Sequence, residues 1–217
     1  MNTKVFQLVV LVSLSLLINS TAKAGLIINE IMQNPSAVSD TNGEWFELFN
    51  TGSEAIDING WTIKDNVSTH VIDNGGPLSI AAGGFLLLGR NFDPAFNGGL
   101  TLDYQYAGLY LANASDELII LDLFGNEIDK VVWDDGATFP DPTGKSMALS
   151  SISGDNSDGS LWKESKNLFA NNDFATPGSC NTDIGQNCST QVPEPTSIAI
   201  LSLALLSIFS RKTGLLK

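Results

Sequence analysis

The sequence is poor in the side chains that most often carry catalysis or bind transition metals. Its 217 residues include one histidine and two cysteines, Cys180 and Cys188. This scarcity argues against a metal site built on thiolates and imidazoles, and any catalytic triad would have to use His70 as its base. His70 lies where a loop passes into a strand-like stretch that has no nucleophile-elbow glycines. The sequence therefore predicts a solvated surface histidine.

Long apolar runs occur only at the two ends of the chain. At the N-terminus, Lys4 precedes the mostly apolar stretch 5–18, and Ala22-Lys23-Ala24 fits the small-x-small pattern at which signal peptides are cleaved. We interpret residues 1–24 as a signal peptide, whose removal leaves Gly25 as the new N-terminus. The alternatives are a buried first helix and an uncleaved anchor.

The C-terminal end combines a rigid motif, a short apolar run and a basic end. Its two prolines exclude residues 192–195 from a helix or a central strand. The run 198–209 is short for a stable membrane span, which needs about 20 apolar residues, and the basic end would stay on the cytoplasmic side. Residues 192–217 resemble the PEP-CTERM sorting signal of Gram-negative bacteria, which implies recognition and processing by exosortase, a membrane protease. The motif residues are Val192, Pro193, Glu194 and Pro195, and the basic residues that would stop transfer are Arg211 and Lys212.

Positive charge is scarce between these ends. The whole chain has 11 Lys and Arg against 24 Asp and Glu. Residues 25–191 retain six of the positive and 23 of the negative residues, a net charge of about −17. A surface this acidic repels phosphate backbones, so no nucleic-acid partner is predicted. It favours solubility, divalent cations or basic partners.

The two cysteines lie close together near the end of the part of the chain between the two terminal segments, the body, in a C-x7-C pattern. In the oxidising compartment to which a signal peptide leads, Cys180 and Cys188 are predicted to form a disulfide that closes a short loop. We interpret residues 182–191, which include Cys188, as a linker. The disulfide would then cross-link the segment that follows the domain rather than the core.

The pattern of the body is typical of β-structure. Short apolar runs alternate with Gly, Asn, Asp and Pro, and no window outside the ends shows an extended stripe of 3.6-residue period. In the run 44–50, Trp45 and Glu47 point to one face while Phe46 and Leu48 point to the other. This pattern favours an all-β sandwich. The predicted strands are 26–32, 44–50, 55–58, 61–64, 85–88, 108–111, 117–123 and 127–133, the last two joined in a hairpin around Gly125.

Five stretches in chain order carry a family resemblance. They are Leu26–Met32, Asn42–Asn50, Asp57–Ile63, Ala82–Leu88 together with the hairpin Leu118–Trp133, and a closing Thr176-Pro177-Gly178 turn that follows Trp162 and ends at Asn181. In this order they resemble the lamin-tail domain, the immunoglobulin-like sandwich of nuclear lamins and many bacterial exported proteins. The resemblance covers residues 25–181 and implies an immunoglobulin-like β-sandwich.

Three glutamates are candidates for paired acid–base carboxylates: Glu30, Glu44 and Glu47. Glu44 and Glu47 are three positions apart, so on one strand they face opposite sides and cannot pair directly. The pattern instead favours a structural role, in which these carboxylates accept hydrogen bonds from loop or strand backbone.

Other motifs have simple structural interpretations. Gly144-Lys145-Ser146 resembles the end of a P-loop, but Phe139 stands where that loop needs a glycine, so a surface turn is predicted. The oxygen-rich segments 40–44 and 154–159 lack the acid ladder of an EF-hand and are predicted to be plain turns, with a calcium site as the alternative. The tryptophans are predicted to pack in the core rather than to form a sugar-stacking platform: Trp45, Trp61, Trp133 and Trp162.

These features lead to a hypothesis of an exported, exosortase-sorted and non-catalytic module of a Gram-negative envelope or extracellular matrix. We expect no catalytic residue and no cofactor, transient membrane association through the C-terminal tail, and exopolysaccharide or matrix proteins as partners beside exosortase. The first alternative is an extracellular hydrolase of the nuclease or phosphoesterase class, or its accessory domain. The second is a calcium-dependent adhesion module.

Overall fold

The computed structural model describes residues 25–169 and 172–189, which hold twelve strands, one α-helical turn and two 3₁₀ turns. The predicted signal peptide, the motif 192–195, the apolar run 198–209 and the basic end lie outside these residues. Among the residues described, no helix has the length and apolar character needed to cross a membrane. The strands are β1 (Leu26–Met32), β2 (Trp45–Asn50), β3 (Ile56–Asp57), β4 (Thr62–Lys64), β5 (Thr69–Val71), β6 (Ser79–Ile80), β7 (Phe85–Gly89), β8 (Tyr104–Gln105), β9 (Ser115–Leu121), β10 (Glu127–Asp134), β11 (Met147–Leu149) and β12 (Trp162–Glu164). The helical turn is α1 (Asp40–Gly43), and the 3₁₀ turns are Gly159–Leu161 and Thr182–Ile184.

Two sheets pack face to face around one main core. The larger sheet has six strands in the order β12-β11-β1-β2-β7-β8, the smaller has four in the order β10-β9-β4-β5, and β3 pairs with β6 separately. Ile28 and Leu48 from the larger sheet join Ile120 and Trp133 from the smaller one in a single buried apolar cluster. The predicted all-β sandwich is therefore confirmed.

The larger sheet is buried on both of its faces. Phe46 and Leu48 of β2 belong to the core between the sheets, whereas Trp45 belongs to a second apolar cluster on the outer face with Leu87 and Leu102. Every residue of β2 is consequently buried. The predicted alternation along β2 is confirmed, and the outer face is covered by chain segments that pack back onto the sheet.

A β-bulge in β1 changes the direction of its side chains. The pairing with β2 shifts between Ile28 and Glu30, so that Asn29 is the extra residue. The bulge leaves the Ile28 N–H directed at the smaller sheet, where it donates to Asp129 Oδ2 on β10 at 2.5 Å. The same oxygen accepts from Asn156 Nδ2 at 2.7 Å, so Asp129 joins the two sheets at the bulge.

Replacing Asp129 with Ala is expected to destabilise the fold by about 1–3 kcal/mol, because the buried Ile28 N–H would lose its acceptor. Urea unfolding of the body, residues 25–189, measures the effect. Glu127→Ala is the matched control, since Glu127 is exposed on the same strand. Equal midpoints for the two variants would contradict this role of Asp129.

Seven of the eight predicted strands overlap observed strands, and the hairpin around Gly125 is confirmed, with Gly125 at φ 81°. The predicted strand 108–111 is wrong. Gly108 has a φ of 76°, and the Leu111 N–H donates to the Glu44 carboxylate instead of a neighbouring strand. Leu109 and Leu111 are still buried, so the alternation of apolar residues in this segment reflects burial in the core and not pairing with another strand.

Candidate functional site

Two glutamates from neighbouring strands face each other on the outer side of the larger sheet. Glu30 of β1 lies directly opposite Glu47 of β2 in the strand register, and both residues are 0% exposed. Directly opposite residues of an antiparallel pair project to the same side, so the two carboxyl groups are neighbours. Since two like charges cannot both ionise cheaply in a buried site, at least one of them must hold a proton.

The segment Thr176–Cys188, here called the clasp, covers this pair. The Thr176 N–H donates to Glu30 Oε1 at 2.9 Å, and the Gly178 N–H donates to Glu47 Oε2 at 2.5 Å. The Ser146 hydroxyl also donates to Glu30. The two carboxyl groups thus bind the incoming chain through its backbone, as the sequence predicted for these glutamates.

A chain of hydrogen bonds connects the two carboxyl groups through the clasp. Asn29, the bulge residue, donates through Nδ2 to Glu47 Oε1 at 2.8 Å and accepts at Oδ1 from Gln186 Nε2 at 2.6 Å. Gln186 Oε1 in turn accepts from the Asn181 N–H at 2.9 Å, and Asn181 Oδ1 lies 2.6 Å from the Thr176 hydroxyl. The chain runs, in order, through Glu47, Asn29, Gln186, Asn181, Thr176 and Glu30.

The geometry of this chain can accommodate a protonated Glu30. Asn181 uses Nδ2 to donate to two backbone carbonyls, each at 3.1 Å, so its Oδ1 can only accept. The Thr176 hydroxyl lies 2.6 Å from Asn181 Oδ1 and 3.1 Å from Glu30 Oε2, so its one proton serves two acceptors when Glu30 is ionised. A protonated Glu30 can instead donate to Thr176 Oγ1 while the hydroxyl donates to Asn181.

Burial favours the protonated form of both carboxyl groups. Burial raises the pKa of Glu30 to about 7, although the hydrogen bonds from Ser146 and Thr176 oppose the rise. Burial, and then the neighbouring Glu30, raise the pKa of Glu47 well above its ordinary value. Both carboxyl groups are fully buried beneath the clasp.

The clasp is packed, and its residues 182–188 lie within the stretch 182–191 that is predicted to be a linker. Asn181 is fully buried, Gln186 is 4% exposed and Ile184 is 7% exposed. Cys180 and Cys188 form the predicted disulfide, with their Cα atoms 5.8 Å apart. The reason for the difference is Gln186, whose amide completes the polar chain to Asn29, so the disulfide closes a loop that belongs to the folded body.

A second polar cluster lies at the start of β2. Glu44 follows α1, and its Oε2 accepts from Arg90 Nη1 at 3.2 Å and from the Leu111 N–H at 3.1 Å. Burial raises the pKa of Glu44 to about 7, against the opposing effects of these two donors. The Arg90 guanidinium lies over the ring of Tyr110, 3.9 Å from its centroid. Glu44 therefore has the structural role predicted for it, and it positions Arg90 against an exposed aromatic ring.

A groove of about 600 Å³ begins at Tyr110. Its walls include the side chains of Asp65, Val67, Asp116 and Val132. It combines exposed apolar surface with the carboxyl groups of Asp65 and Asp116.

His70 is half-buried, which corrects the prediction of a solvated histidine. It lies in the edge strand β5, where Nε2 is 2.9 Å from the Tyr104 hydroxyl and Nδ1 is 3.1 Å from the Ala107 carbonyl oxygen. Burial lowers its pKa. Both ring nitrogens are thus engaged within the fold, which fixes the orientation of the imidazole.

The surface turn predicted at Gly144-Lys145-Ser146 is correct only for the turn itself. Gly144 has a φ of 69° and Lys145 forms a salt bridge with Glu164 at 2.6 Å, but Ser146 is fully buried against Glu30. Of the two oxygen-rich segments, 40–43 forms α1 and 154–159 is a loop that leads into a 3₁₀ turn. Within residues 25–169 and 172–189, no group of three or more His, Cys, Asp or Glu side chains is placed to hold a metal ion.

The tryptophans pack as predicted. Trp45, Trp133 and Trp162 are at most 3% exposed, and Trp61 is partly buried against the main core. The Trp133 indole N–H donates to the Ala112 carbonyl oxygen at 2.8 Å. A sugar-stacking platform made of these four rings is therefore wrong, because their faces are covered by other side chains.

The sequence analysis did not identify the buried amides of Asn29, Asn181 and Gln186 or the exposed ring of Tyr110 as functional residues. Asn29 and Glu30 interrupt the apolar residues of β1, and buried polar residues at such positions are a signal for a bulge or a polar network. The partners of Asn29 gave no signal, because Gln186 lies 157 positions away.

The model of the family described as Lamin Tail Domain matches residues 19–135, slightly more than half of the chain. No curated protein matches the chain. The matched range ends after β10, so β11, β12 and the clasp lie beyond it, although β11 pairs directly with β1.

Proposed function

The chain belongs to the lamin tail domain family, and from this premise we propose that its immunoglobulin-like sandwich is a non-catalytic binding module of a Gram-negative cell surface or matrix. In this proposal the signal peptide directs export, and an exosortase-type protease reads the motif Val192–Pro195. The partners are then components of the extracellular matrix.

The observation that carries this proposal is the disulfide-closed clasp. Disulfides persist in oxidising compartments, which supports export. The clasp also encloses Glu30 and Glu47, so these carboxyl groups serve to hold the chain and are not presented to a substrate.

Intact-mass analysis of the protein recovered from its host tests the proposal. We expect a mature N-terminus at Gly25, loss of the C-terminal tail at or near residues 192–195, and oxidised Cys180 and Cys188. Retention of both ends in the mature protein would contradict it.

Variants of the motif sharpen this test. Pro193→Ala combined with Pro195→Ala is expected to block processing, so that the uncut form accumulates in the membrane fraction. Pro177→Ala is the matched control, because Pro177 lies in the clasp and outside the motif. Processing that is unchanged in the motif variant would rule out exosortase recognition.

A further inference from the structure

The groove beside Tyr110 displays apolar surface that a soluble domain usually hides. Val67 is 94% exposed, Tyr110 is 57% exposed and Val132 is 47% exposed, and all three line the groove. They come from three separate parts of the chain, the β4–β5 turn, the segment before β9 and strand β10. Large apolar side chains that converge from separate elements are typical of a binding surface.

The two carboxylates of the groove are fixed in position by backbone donors. Asp65 Oδ1 accepts from the N–H groups of Val67, at 2.6 Å, and of Ser68. Asp116 accepts from the Ala112 N–H at 2.9 Å and from the Glu117 N–H at 2.8 Å. Burial, and to a lesser extent the nearby Asp65, raise the pKa of Asp116. A cation between the two carboxylates would relieve their repulsion.

The charge of the whole body points in the same direction. With a net charge of about −17 between residues 25 and 191, the domain repels polyanions such as uronate-rich or phosphorylated polysaccharides. The polymer that fits the groove is therefore neutral or cationic, and the two carboxylates favour a cationic one.

Tyr110 distinguishes between the kinds of cationic partner. The Arg90 guanidinium, which does not line the groove, lies 3.9 Å from the centroid of the Tyr110 ring. Because the positive Arg90 guanidinium lies this close to the ring, like-charge repulsion disfavours a second guanidinium, from a basic peptide, stacked on Tyr110. An uncharged C–H face of a sugar ring has no such disadvantage, because its stacking is mainly dispersion and burial.

We propose that this groove binds an amino-sugar polysaccharide, with an uncharged pyranose face on Tyr110 and an ammonium group at Asp65 and Asp116. This inference deepens the proposed function, and rests on it, by naming the ligand class of the matrix-binding module. The apolar side chains of Val67 and Val132 would cover adjacent sugar rings.

Isothermal titration of the oxidised body, residues 25–189, with glucosamine oligosaccharides tests the groove. We expect binding that weakens with added salt, and a loss of about tenfold in affinity for Tyr110→Ala. Asp65→Asn is the matched charge variant, since its remaining Oδ1 can still accept both N–H groups of the turn, and it is expected to reduce both the affinity and the salt dependence. Phe124→Ala is the control, because Phe124 is 88% exposed outside the groove and its loss should change neither.

Three outcomes would overturn the inference. They are an absence of binding to glucosamine oligosaccharides, equal binding to fully N-acetylated oligosaccharides, and tighter binding to a lysine- and arginine-rich peptide. Circular dichroism of each variant ensures that a lost affinity is not lost folding. If the wild-type body binds the native matrix and the Tyr110→Ala variant binds it equally well, the groove is not the binding site and the proposed function stands. If glucosamine oligosaccharides bind at the groove but the protein is not exported, the groove is the binding site and the proposed function is wrong.

Discussion

Glu30→Gln is expected to raise the free energy of unfolding near neutral pH and to weaken its dependence on pH. Burial raises the pKa of Glu30 from 4.5 to about 7, so between these values the folded state holds a proton that the unfolded state releases. The wild-type protein therefore loses stability as pH rises through this window, and does not regain it above pH 7. The loss from this group is on the order of 3 kcal/mol.

Glutamine reproduces the protonated acid without being able to ionise. Its amide group can donate to Thr176 Oγ1, and its oxygen can accept from Ser146 and from the Thr176 N–H, as Glu30 does. Near pH 5 the variant should be close to the wild-type protein in stability, and near pH 8 it should be the more stable of the two. Because Glu47 still titrates, the slope of stability against pH falls by about one proton rather than to zero.

Urea unfolding of the oxidised body, carried out between about pH 5 and pH 8, measures these slopes. Glu30→Ala is the informative comparison, since it leaves the buried donors Ser146 and Thr176 without an acceptor. It should cost about 2–4 kcal/mol near pH 5, where Glu30→Gln costs little. Equal slopes for the wild-type protein and Glu30→Gln would mean that Glu30 is ionised in the fold.

The sequence predicted those parts of the fold that depend on local patterns. Alternation along β2 identified both faces correctly, because Trp45 and Phe46 pack into different clusters. The turn at Gly125 was also predictable, since a single residue must adopt a positive φ there. The segment 108–111 has the same alternation but no partner strand. Pairing is a long-range property, so local periodicity could not reveal its absence.

The role of the glutamates in the candidate site was predictable, but the residues that contact them were not. The sequence predicted a structural role for Glu30 and Glu47, in which their carboxyl groups accept hydrogen bonds from the backbone. The backbone N–H groups of the clasp that donate to them, however, lie 146 and 131 positions away, at Thr176 and Gly178. The bulge at Asn29 compounds the difficulty, because a bulge shifts every following side chain to the opposite face.

Replacing both Cys180 and Cys188 with Ser is expected to destabilise the oxidised body substantially. In the chain-entropy description, a cross-link across eight positions contributes about 2–3 kcal/mol by restricting the unfolded chain. Reducing agent should lower the wild-type protein to the stability of the double variant and leave the double variant unchanged. An equal urea midpoint for the two proteins under oxidising conditions would contradict this contribution.

The structure also predicts how this disulfide acts. Asn181 and Gln186 lie inside the loop that it closes, and both belong to the polar chain between Glu47 and Glu30. If the disulfide holds the clasp on these carboxyl groups, then Glu30→Ala and the double cysteine variant should together cost less than the sum of their separate effects, by at least about 0.5–1 kcal/mol. Strict additivity would instead mean that the disulfide acts on the unfolded chain only. We expect the coupled result, because without the clasp Glu30 has already lost the Thr176 donor that the alanine variant leaves unsatisfied.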